Sequence, residues 1–388
     1  MTLSADQNKA VHQLSKVKVG ALFMEPGTGK TLTAIELINT TDTDYCLFIV
    51  PFSTKENLSK ELVKWNFSRP YRIVGVETLS SSDRTYLDII SDMSQANHAF
   101  VIVDESLKIK NINAIRTHRT IEIGRLAEYR LILNGTPISK NILDLWPQMN
   151  FLSPKILKMT ENEFKDTFVS YVKFKQDGKW HEFIKNYHNL DYLYSIIAPF
   201  VFDAKLNLSK KQKHVSIDYS ITEKIEQYET IRDNFLNNFM NDPNIFIKMT
   251  QSMQMAYCDE PIKLKKVSKL IDDNTVIFCK FIRSKNTLIE AFPTTKVLTY
   301  GTGSLGLNLQ EYNKIVFFDK TFDYAQQEQA ERRIYRMGQS EDVTYYHLTG
   351  DVGLESMIDR NIKNKVTMLS AFKKAAMENK EKELIANL

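Results

Sequence analysis

Two short motifs contain residues whose types and spacing suit nucleotide hydrolysis. The first is MEPGTGKT at 24–31, which follows the apolar run GALF and precedes the helix-compatible run LTAIELI. A strand, a Gly-containing turn and a helix together make a phosphate-binding loop, because successive backbone N–H groups and the helix N-terminus face the phosphates. Gly27 and Gly29 permit close approach of the backbone. Lys30 would bind the β- and γ-phosphates, and Thr31 would hold Mg²⁺.

The second motif is AFVIVDE at 99–105, an apolar run that ends in two carboxylates. If the run is a strand, the carboxylates lie at the carboxyl edge of the sheet, where ligands sit in open α/β folds. Asp104 would coordinate Mg²⁺, and Glu105 would orient and polarise the attacking water. Many strands end in acidic residues, so this motif alone is weak evidence. Combined with the upstream loop, it predicts a site for ATP and Mg²⁺.

The elements that must position these motifs are short apolar runs rich in Val, Ile and Phe, of the kind that form strands buried on both faces of a parallel sheet. In chain order they are GALFM (20–24), YCLFIV (45–50), AFVIVDE (99–105), RLILNG (130–135), TVIFCKF (275–281), KVLTYG (296–301), KIVFFD (314–319) and VTYYHL (343–348). Helix-compatible stretches separate many of them, which predicts an α/β fold with two sheets.

A different region, 151–270, separates the two sets of runs and is predicted to be mostly helical. Its aromatic residues recur at three- and four-residue spacing, and we interpret them as the core of helices rather than as a base-stacking surface. These aromatics are Phe164, Phe168, Tyr171, Phe174, Trp180, Phe183 and Tyr187. The most linker-like stretch is KLNLSKKQKH at 205–214. We therefore predict a first lobe over 1–205, with a helical insertion from about 151, and a second lobe over 206–388 with a helical start.

Composition sets only broad limits on the class of protein. The chain has 388 residues and a net charge of +4, which permits nucleic-acid binding without requiring it. The spacing of its three cysteines suits neither a disulfide framework nor a zinc site. With no signal-peptide pattern at the N-terminus and no apolar run long enough to cross a bilayer, we expect a cytoplasmic protein without membrane partners.

Several segments resemble one family. DESLKIKN (104–111) is similar to the DEAH-box variant found in the SWI/SNF-like ATPases, a branch of the superfamily 2 helicases. Other segments resemble further motifs of that family, over nearly the whole chain. These segments are IVPFSTKENLSKELVKW (49–65), LNGTPISKNILDLWPQMNFLSP (133–154), TVIFCKF (275–281) and GLNLQEYNKIVFFDKTFDYAQQEQAERRIYRMGQ (306–339). The resemblance implies that the two lobes are RecA-like.

The resemblance also implies roles for individual residues. Gln7 stands where the family has an adenine-reading glutamine, and Thr136 where it has the residue that links ATP state to nucleic-acid grip. Gly306 and Asn308 are placed to contact a phosphate backbone. The implied nucleotide-binding residues are Gln7, Gly27, Thr28, Gly29, Lys30, Thr31 and Gln329.

The second lobe offers candidate arginine fingers. On a helix, Gln329, Arg333 and Arg336 lie at i, i+4 and i+7 and therefore share a face. The resemblance makes Arg333 and Arg336 the catalytic arginines that reach the γ-phosphate, whereas Arg332 is expected to play a structural role. Two lysine clusters could add phosphate contacts, or could simply be solvated. They are Lys210, Lys211 and Lys213 in one, and Lys263, Lys265, Lys266 and Lys269 in the other.

The function predicted is a DNA-dependent ATPase that translocates on duplex DNA, in a minimal form that would suit phage replication or repair and its partner proteins. The segment between TVIFCKF and KVLTYG is shorter than is typical of the family, which puts efficient translocation in doubt. Three alternatives stay open: a strand-separating helicase, an ATP-gated module that binds nucleic acid or a partner, and a small-molecule kinase. The pair Asp104 and Glu105 with the arginines argues against a pure binder, and a kinase would not need a second lobe with arginines.

Overall fold

The computed structural model of the chain describes residues 3–135, 137–138, 141–176, 179–206, 208–239, 242–303, 309–336, 338–364 and 366–388. It divides into two units, Met1–Asn207 and Leu208–Leu388. This division lies close to the predicted boundary between residues 205 and 206. Each unit contains a parallel sheet flanked by helices, so the prediction of an α/β fold with two parallel-sheet lobes is confirmed.

The first unit is built on a six-stranded sheet. Its strands and those of a separate hairpin are β1 (Val19–Met24), β2 (Tyr45–Val50), β3 (Tyr71–Gly75), β4 (Ala99–Asp104), β5 (Tyr129–Asn134), β6 (Val169–Gln176), β7 (Lys179–Tyr187) and β8 (Val201–Ala204). The order in the sheet is β3-β2-β4-β5-β1-β8, and its described pairings are parallel. All carboxyl ends therefore lie at one edge, which places the end of β1 near the end of β4.

Helices cover both faces of this sheet. They are α1 (Ala5–Leu14), α2 (Lys30–Asn39), α3 (Lys55–Lys64), α4 (Thr78–Ser81), α5 (Asp83–Gln95), α6 (Ile115–Arg125), α7 (Leu145–Leu152), α8 (Pro154–Leu157), α9 (Glu161–Phe168) and α10 (Leu190–Ile197). Along β4, Phe100 and Ile102 pack in a cluster with residues of α1, α2 and α3. Val101 and Val103 pack on the opposite face with residues of α5, α6 and α7. Burial on both faces explains the continuous apolar runs.

The region after α9 differs from the prediction. Phe164 and Phe168 are buried in α9, as expected of a helical core. Tyr171 and Tyr187, however, lie on an antiparallel hairpin of β6 and β7 and are 36% and 41% exposed. The helical prediction for 169–187 is therefore wrong. Here the β-branched and aromatic residues favour strands, and this preference outweighs the helix-like spacing of the aromatics.

The second unit is built on a five-stranded sheet of order β11-β10-β12-β13-β9, with parallel described pairings. Its strands are β9 (Gln212–Tyr219), β10 (Thr275–Cys279), β11 (Lys296–Thr299), β12 (Lys314–Phe317) and β13 (Val343–Gly350). The predicted helical start of this lobe is wrong in one respect, because the edge strand β9 begins inside the linker-like run 205–214. It extends the sheet by pairing along the whole of β13.

The helices of the second unit are α11 (Ile225–Asn237), α12 (Pro243–Ala256), α13 (Pro261–Val267), α14 (Ile282–Ala291), α15 (Tyr300–Gly303), α16 (Tyr324–Glu331), α17 (Gly353–Lys363), α18 (Met368–Met377) and α19 (Glu381–Ala386). Within the described residues, α14 is the only helix between β10 and β11, in keeping with the short segment noted in the sequence. None of the described helices combines the length and the apolar character that crossing a membrane requires.

Candidate nucleotide-binding site

The glycine-containing loop joins the end of β1 to the start of α2 at the carboxyl edge of the first sheet. Gly27 and Gly29 have φ values of 87° and 80°, a left-handed conformation that a side chain would strain. The Lys30 ammonium folds back onto the loop and donates to the carbonyl oxygens of Met24 at 2.8 Å and Glu25 at 3.3 Å. The loop thus has the form that presents backbone N–H groups and a lysine to phosphates.

Gln7 is packed against this loop. It is 3% exposed, and its side-chain amide lies 3.4 Å from the carbonyl oxygen of Thr28 and 3.3 Å from that of Gly29. A capping box with Ser4 fixes it at the start of α1, since Gln7 Oε1 accepts from the backbone N–H of Ser4 at 2.8 Å. A Cβ on Gly29 would lie 2.3 Å from Gln7 Nε2. Close packing by Gln7 is therefore a second reason for a glycine there.

Asp104 ends β4 and Glu105 follows it directly, two strands away from β1 across β5. Asp104 Oδ1 accepts a 2.9 Å hydrogen bond from the backbone N–H of Glu105. Burial raises the pKa of the Asp104 carboxyl to about 7, the negative charge of Glu105 adds to this, and the Lys30 ammonium opposes it. The electrostatic interaction with Lys30 shows that the structure brings the two predicted motifs together.

The backbone of Glu105 is in the left-handed region, with φ of 51°. For a residue with a side chain this conformation costs on the order of 1 kcal/mol, and such residues concentrate at functional sites. It turns the chain sharply from β4 into the 3₁₀ segment Ser106–Ile109, whose first turn is closed by a 2.8 Å bond from the Lys108 N–H to the Glu105 carbonyl oxygen. The turn sets the direction in which the carboxylate leaves the sheet edge.

The donor set at this edge fits Mg²⁺. Thr31 lies in the first turn of α2 and offers a hydroxyl oxygen, and Asp104 offers a carboxylate. Hard oxygen ligands of this type are those that Mg²⁺ prefers. Burial disfavours the ionised form of Asp104, and a cation beside it would offset that penalty.

Sequence reasoning missed a buried polar network behind the carboxylates. The Ser106 hydroxyl donates to Gln148 Oε1 at 2.6 Å and lies 3.3 Å from Asn134 Nδ2, which donates to it. Gln148 Nε2 donates in turn to the carbonyl oxygens of Pro137 at 2.8 Å and Asp144 at 2.7 Å. Ser106, Asn134 and Gln148 are at most 2% exposed. The network therefore ties the turn after Glu105 to the end of β5 and to α7.

Two further contacts connect the glycine-containing loop to its neighbours. A Cβ on Gly135, in the NGTP turn, would lie 2.8 Å from Pro26 Cδ, so that turn lies directly on the loop. Glu25 Oε2 accepts a 3.0 Å hydrogen bond from the backbone N–H of Leu206, just beyond β8. The glycine that precedes Thr136 is a sequence signal of the first contact. No sequence pattern signals the second.

The arginines of the second unit are not placed as predicted. The helix α16 ends at Glu331, so Arg333 and Arg336 lie in the turns that follow and do not share a helical face with Gln329. Just after the helix, a backbone hydrogen bond joins residues three apart instead of four, because the Arg333 N–H donates to the Ala330 carbonyl oxygen at 3.1 Å. The helix ends here because the residues after Glu331 make contacts outside the helix.

Tyr335 is one of the residues that hold the segment after α16 in place. It is 6% exposed, and its hydroxyl donates to the carbonyl oxygens of Leu208 at 3.4 Å and Lys210 at 3.2 Å. The carbonyl oxygen of Arg333 accepts a 3.2 Å bond from the backbone N–H of Leu309. The two arginines are half-buried on a fixed turn. Their catalytic role stays a prediction.

The remaining predicted nucleic-acid residues are only partly described. Thr136, Gly306 and Asn308 lie outside the described residues. Lys263 does not suit a phosphate contact, because it is 1% exposed and its ammonium donates to Asp319 Oδ1 at 2.8 Å. That suggestion is wrong for Lys263: the charge pattern resembled a solvated run, but this lysine faces the core.

Comparison with known proteins supports the resemblance seen in the sequence. A family model of the SNF2-related domain matches residues 67–256. An uncharacterized ATP-dependent helicase of Mycoplasma genitalium is 24% identical over 87% of the chain. The predicted resemblance to the SWI/SNF-like branch of the superfamily 2 helicases is confirmed. ATP hydrolysis by this chain stays a proposal.

Other SWI/SNF-like proteins align over similar lengths. The snf22 subunit of the SWI/SNF chromatin-remodeling complex of Schizosaccharomyces pombe is 24% identical over 87% of the chain. The chain spans 39% of the Mycoplasma helicase and 26% of snf22. The Sulfolobus solfataricus SWI2/SNF2 ATPase core in complex with dsDNA aligns over 98% of the chain and 97% of its own length, with 19% identity and a TM-score of 0.46. The phage origin and the replication or repair partners stay predictions.

Proposed function

We propose that this SWI/SNF-like chain is a DNA-dependent ATPase that translocates on duplex DNA. The observation that carries the proposal is the meeting of Lys30, Asp104 and Glu105 at one carboxyl edge of the first sheet, with Glu105 in a left-handed turn. A phosphate loop and a strained acidic pair at the same edge suit hydrolysis better than simple nucleotide storage. The similarity to the SNF2-related domain supports nucleic acid as the activator.

In the first lobe each side chain would have a distinct task. The Lys30 ammonium, now bonded to loop carbonyl oxygens, would turn to the β- and γ-phosphates of ATP. Thr31 and Asp104 would hold Mg²⁺, which when bound neutralises charge on the phosphates. Glu105 would orient the attacking water and accept its proton. Gln7 would read the adenine while it keeps the loop in shape.

The second lobe would complete the site. We propose that binding of ATP draws the lobes together and brings Arg333 and Arg336 to the γ-phosphate, with Gln329 nearby. Arginines suit this task because they stay charged and present a planar fork of donors to phosphate oxygens. The turn after α16 is anchored through Tyr335, so the guanidinium groups would move with the lobe as a rigid part.

DNA binding would be largely indifferent to sequence. The proposed contacts, at Thr136, Gly306 and Asn308, are of the kind that grip phosphates and sugars through loop amides and hydroxyls. The exposed lysines Lys211 and Lys213 could add electrostatic attraction. Affinity should then fall as salt rises, since phosphate contacts release counterions.

Displacement of a third strand from a triplex tests translocation directly. With ATP, the chain should displace the strand from a triplex that lies ahead of it on duplex DNA, and it should not do so with a non-hydrolysable analogue. Lys30→Ala is the matched control, because it removes the phosphate ligand without touching the proposed DNA contacts. ATP hydrolysis with no displacement over any length of duplex would overturn translocation. It would leave a strand-separating helicase or an ATP-gated binding module.

One feature favours a strand-separating helicase as a second candidate. The hairpin of β6 and β7 carries exposed apolar side chains, including Tyr171, Val172 and Tyr187. Aromatic side chains of this kind can stack on bases and keep separated strands apart. A fluorescent forked duplex distinguishes the candidates. Robust unwinding that is lost in a Tyr171→Ser, Tyr187→Ser double variant, while ATP turnover is kept, would favour the helicase.

A further inference from the structure

Three side chains able to ligate a metal lie together in the second unit, apart from the residues assigned to ATP. They are His214 on β9, Glu331 at the end of α16 and His347 on β13. One ligating atom from each lies within 4.8 Å of the other two. The sequence shows no metal motif here, because the three residues come from distant parts of the chain.

Strand register explains how they meet. β9 pairs in parallel with β13, and His214 stands opposite Tyr345. His347 is two residues beyond Tyr345 and therefore projects from the same face of the sheet. The end of α16 covers this face, where the Tyr345 hydroxyl donates to the Glu331 carbonyl oxygen at 3.3 Å. The helix thus delivers the Glu331 side chain to the two imidazoles.

The distances suit a tetrahedral transition-metal ion. His214 Nδ1 and His347 Nε2 are 3.1 Å apart. Two nitrogens bound to one tetrahedral Zn²⁺ are separated by about 3.3 Å, from Zn–N bonds of about 2.0–2.1 Å. The Glu331 carboxylate accepts a 3.0 Å hydrogen bond from Gln327 Nε2. Hydrogen bonds of this kind hold metal-binding carboxylates in place.

Aromatic neighbours hold both imidazole rings in place. The His347 ring stacks on Phe317 with centroids 5.0 Å apart, and the His214 ring lies 4.8 Å from that of Tyr345. His214 is exposed on the edge strand, which gives an ion a path from solvent.

We propose that His214 Nδ1, His347 Nε2 and the Glu331 carboxylate bind one Zn²⁺, with water as the fourth ligand. Two histidines and a glutamate form a known zinc ligand set with one open position. Bound Zn²⁺ would link the edge strand, a central strand and the end of α16. Glu331 lies two residues before Arg333, so the ion would stabilise the base of the arginine-bearing turn.

A second group of potential ligands, in the first unit, supplies a matched control. Asp42, His98 and Glu128 also lie within 4.8 Å of one another. Their charges are already neutralised within the protein, because the Lys18 ammonium and His98 Nδ1 both contact Glu128, and the Tyr129 hydroxyl donates to Asp42 at 2.7 Å. A metal would have to displace these partners, so we expect no tight binding there.

Calorimetric titration of the metal-stripped full chain with Zn²⁺ tests the proposal. We expect one ion per chain and a rise in Tm with Zn²⁺. His214→Ala and the near-isosteric Glu331→Gln should each weaken binding by at least about 100-fold, since loss of a group that only hydrogen-bonds to a metal ligand already costs about 10- to 100-fold. His98→Ala should bind as the parent does.

Circular dichroism should show that each variant is folded, which is expected for His214→Ala because that side chain is exposed at a sheet edge. Co²⁺ in place of Zn²⁺ should give the absorption of a tetrahedral site in the parent and in His98→Ala only. No Zn²⁺ binding by the parent would overturn the proposal. Unchanged binding in both His214→Ala and Glu331→Gln would also overturn it, as would loss of binding in His98→Ala alone.

Discussion

The Ser106 hydroxyl donates a 2.6 Å hydrogen bond to Gln148 Oε1 in a fully buried setting. Ser106 follows the Glu105 carboxylate directly, and Gln148 lies on α7, beyond the NGTP turn. Gln148 also donates to the Pro137 carbonyl oxygen, on the far side of Thr136. The bond therefore joins the proposed hydrolytic carboxylate to the turn proposed to sense DNA.

Replacement of Ser106 by Ala should destabilise the first unit and weaken the response to DNA. It leaves Gln148 Oε1 buried without this donor, at a cost of about 1–3 kcal/mol. All three tryptophans lie in the first unit, so urea unfolding followed by tryptophan fluorescence reports on this unit. Ser94→Ala, which removes an exposed hydroxyl on α5, should have little effect. Equal stability of the two variants would show that the network contributes nothing.

Glu105→Gln should bind ATP but hydrolyse it at least about 100-fold more slowly, because the amide cannot accept a proton from the attacking water. Lys30→Ala should instead weaken ATP binding. Single-turnover hydrolysis and fluorescent-nucleotide binding separate the two effects. Glu122→Gln, at an exposed position on α6, is the matched control. Turnover by Glu105→Gln at the parent rate would reassign the water-positioning residue.

Asp104→Asn should stabilise the nucleotide-free protein, and the gain should increase with pH. The pKa of Asp104 is raised from 3.8 to about 7 by burial, so between these values the folded chain holds a proton that the unfolded chain has released. Stability is therefore lost as pH rises through this window, and the amide avoids the loss. Urea unfolding in EDTA at pH 5 and pH 8 measures the difference.

Asp88→Asn is the control for the pH dependence of stability. Asp88 lies exposed on α5, so its side chain contacts water in the folded and the unfolded chain. A gain for Asp104→Asn that is the same at both pH values would mean that Asp104 ionises as it does in the unfolded chain. The same variant should lose hydrolysis at every pH, since Asn cannot replace the proposed Mg²⁺ ligand.

Arg336→Ala should lower ATP turnover by about 10³-fold or more, the scale on which arginine fingers act, while ATP affinity stays within several-fold. Arg332→Ala is the matched control. Its guanidinium lies 3.9 Å from Glu328, one turn back on α16, as a structural residue would. The measurement is the steady-state rate of ATP turnover of both variants with saturating DNA. Near-normal turnover of Arg336→Ala would show that Arg336 is not an arginine finger.

Much of the first lobe could be predicted from the sequence because its signals are local. Lys30 belongs to a strand, loop and helix that are contiguous in the chain, and Asp104 ends a continuous apolar run. Parallel pairing then brings both to one edge. The partnership of Ser106 with Gln148 is not a local signal. It depends on where α7 packs, and no spacing rule predicts that.

The errors have physical causes as well. The prediction placed Gln329, Arg333 and Arg336 on one helix, but the helix ends at Glu331, where Tyr335 is buried and bonds to Leu208 and Lys210. Tertiary contacts here override local propensity. The hairpin at 169–187 was missed because aromatics at helical spacing also occur in strands, where aromatic and β-branched residues are favoured.

The most direct measurement is the rate of ATP hydrolysis by the full chain with no nucleic acid, with single-stranded DNA and with two duplexes of unrelated sequence. A duplex-tracking motor should be stimulated most by duplex DNA, equally by both sequences. The stimulation should be lost above roughly a few hundred millimolar salt, because the grip is on phosphates. Hydrolysis that no DNA alters at low salt would contradict the account and leave an ATP-gated binding module.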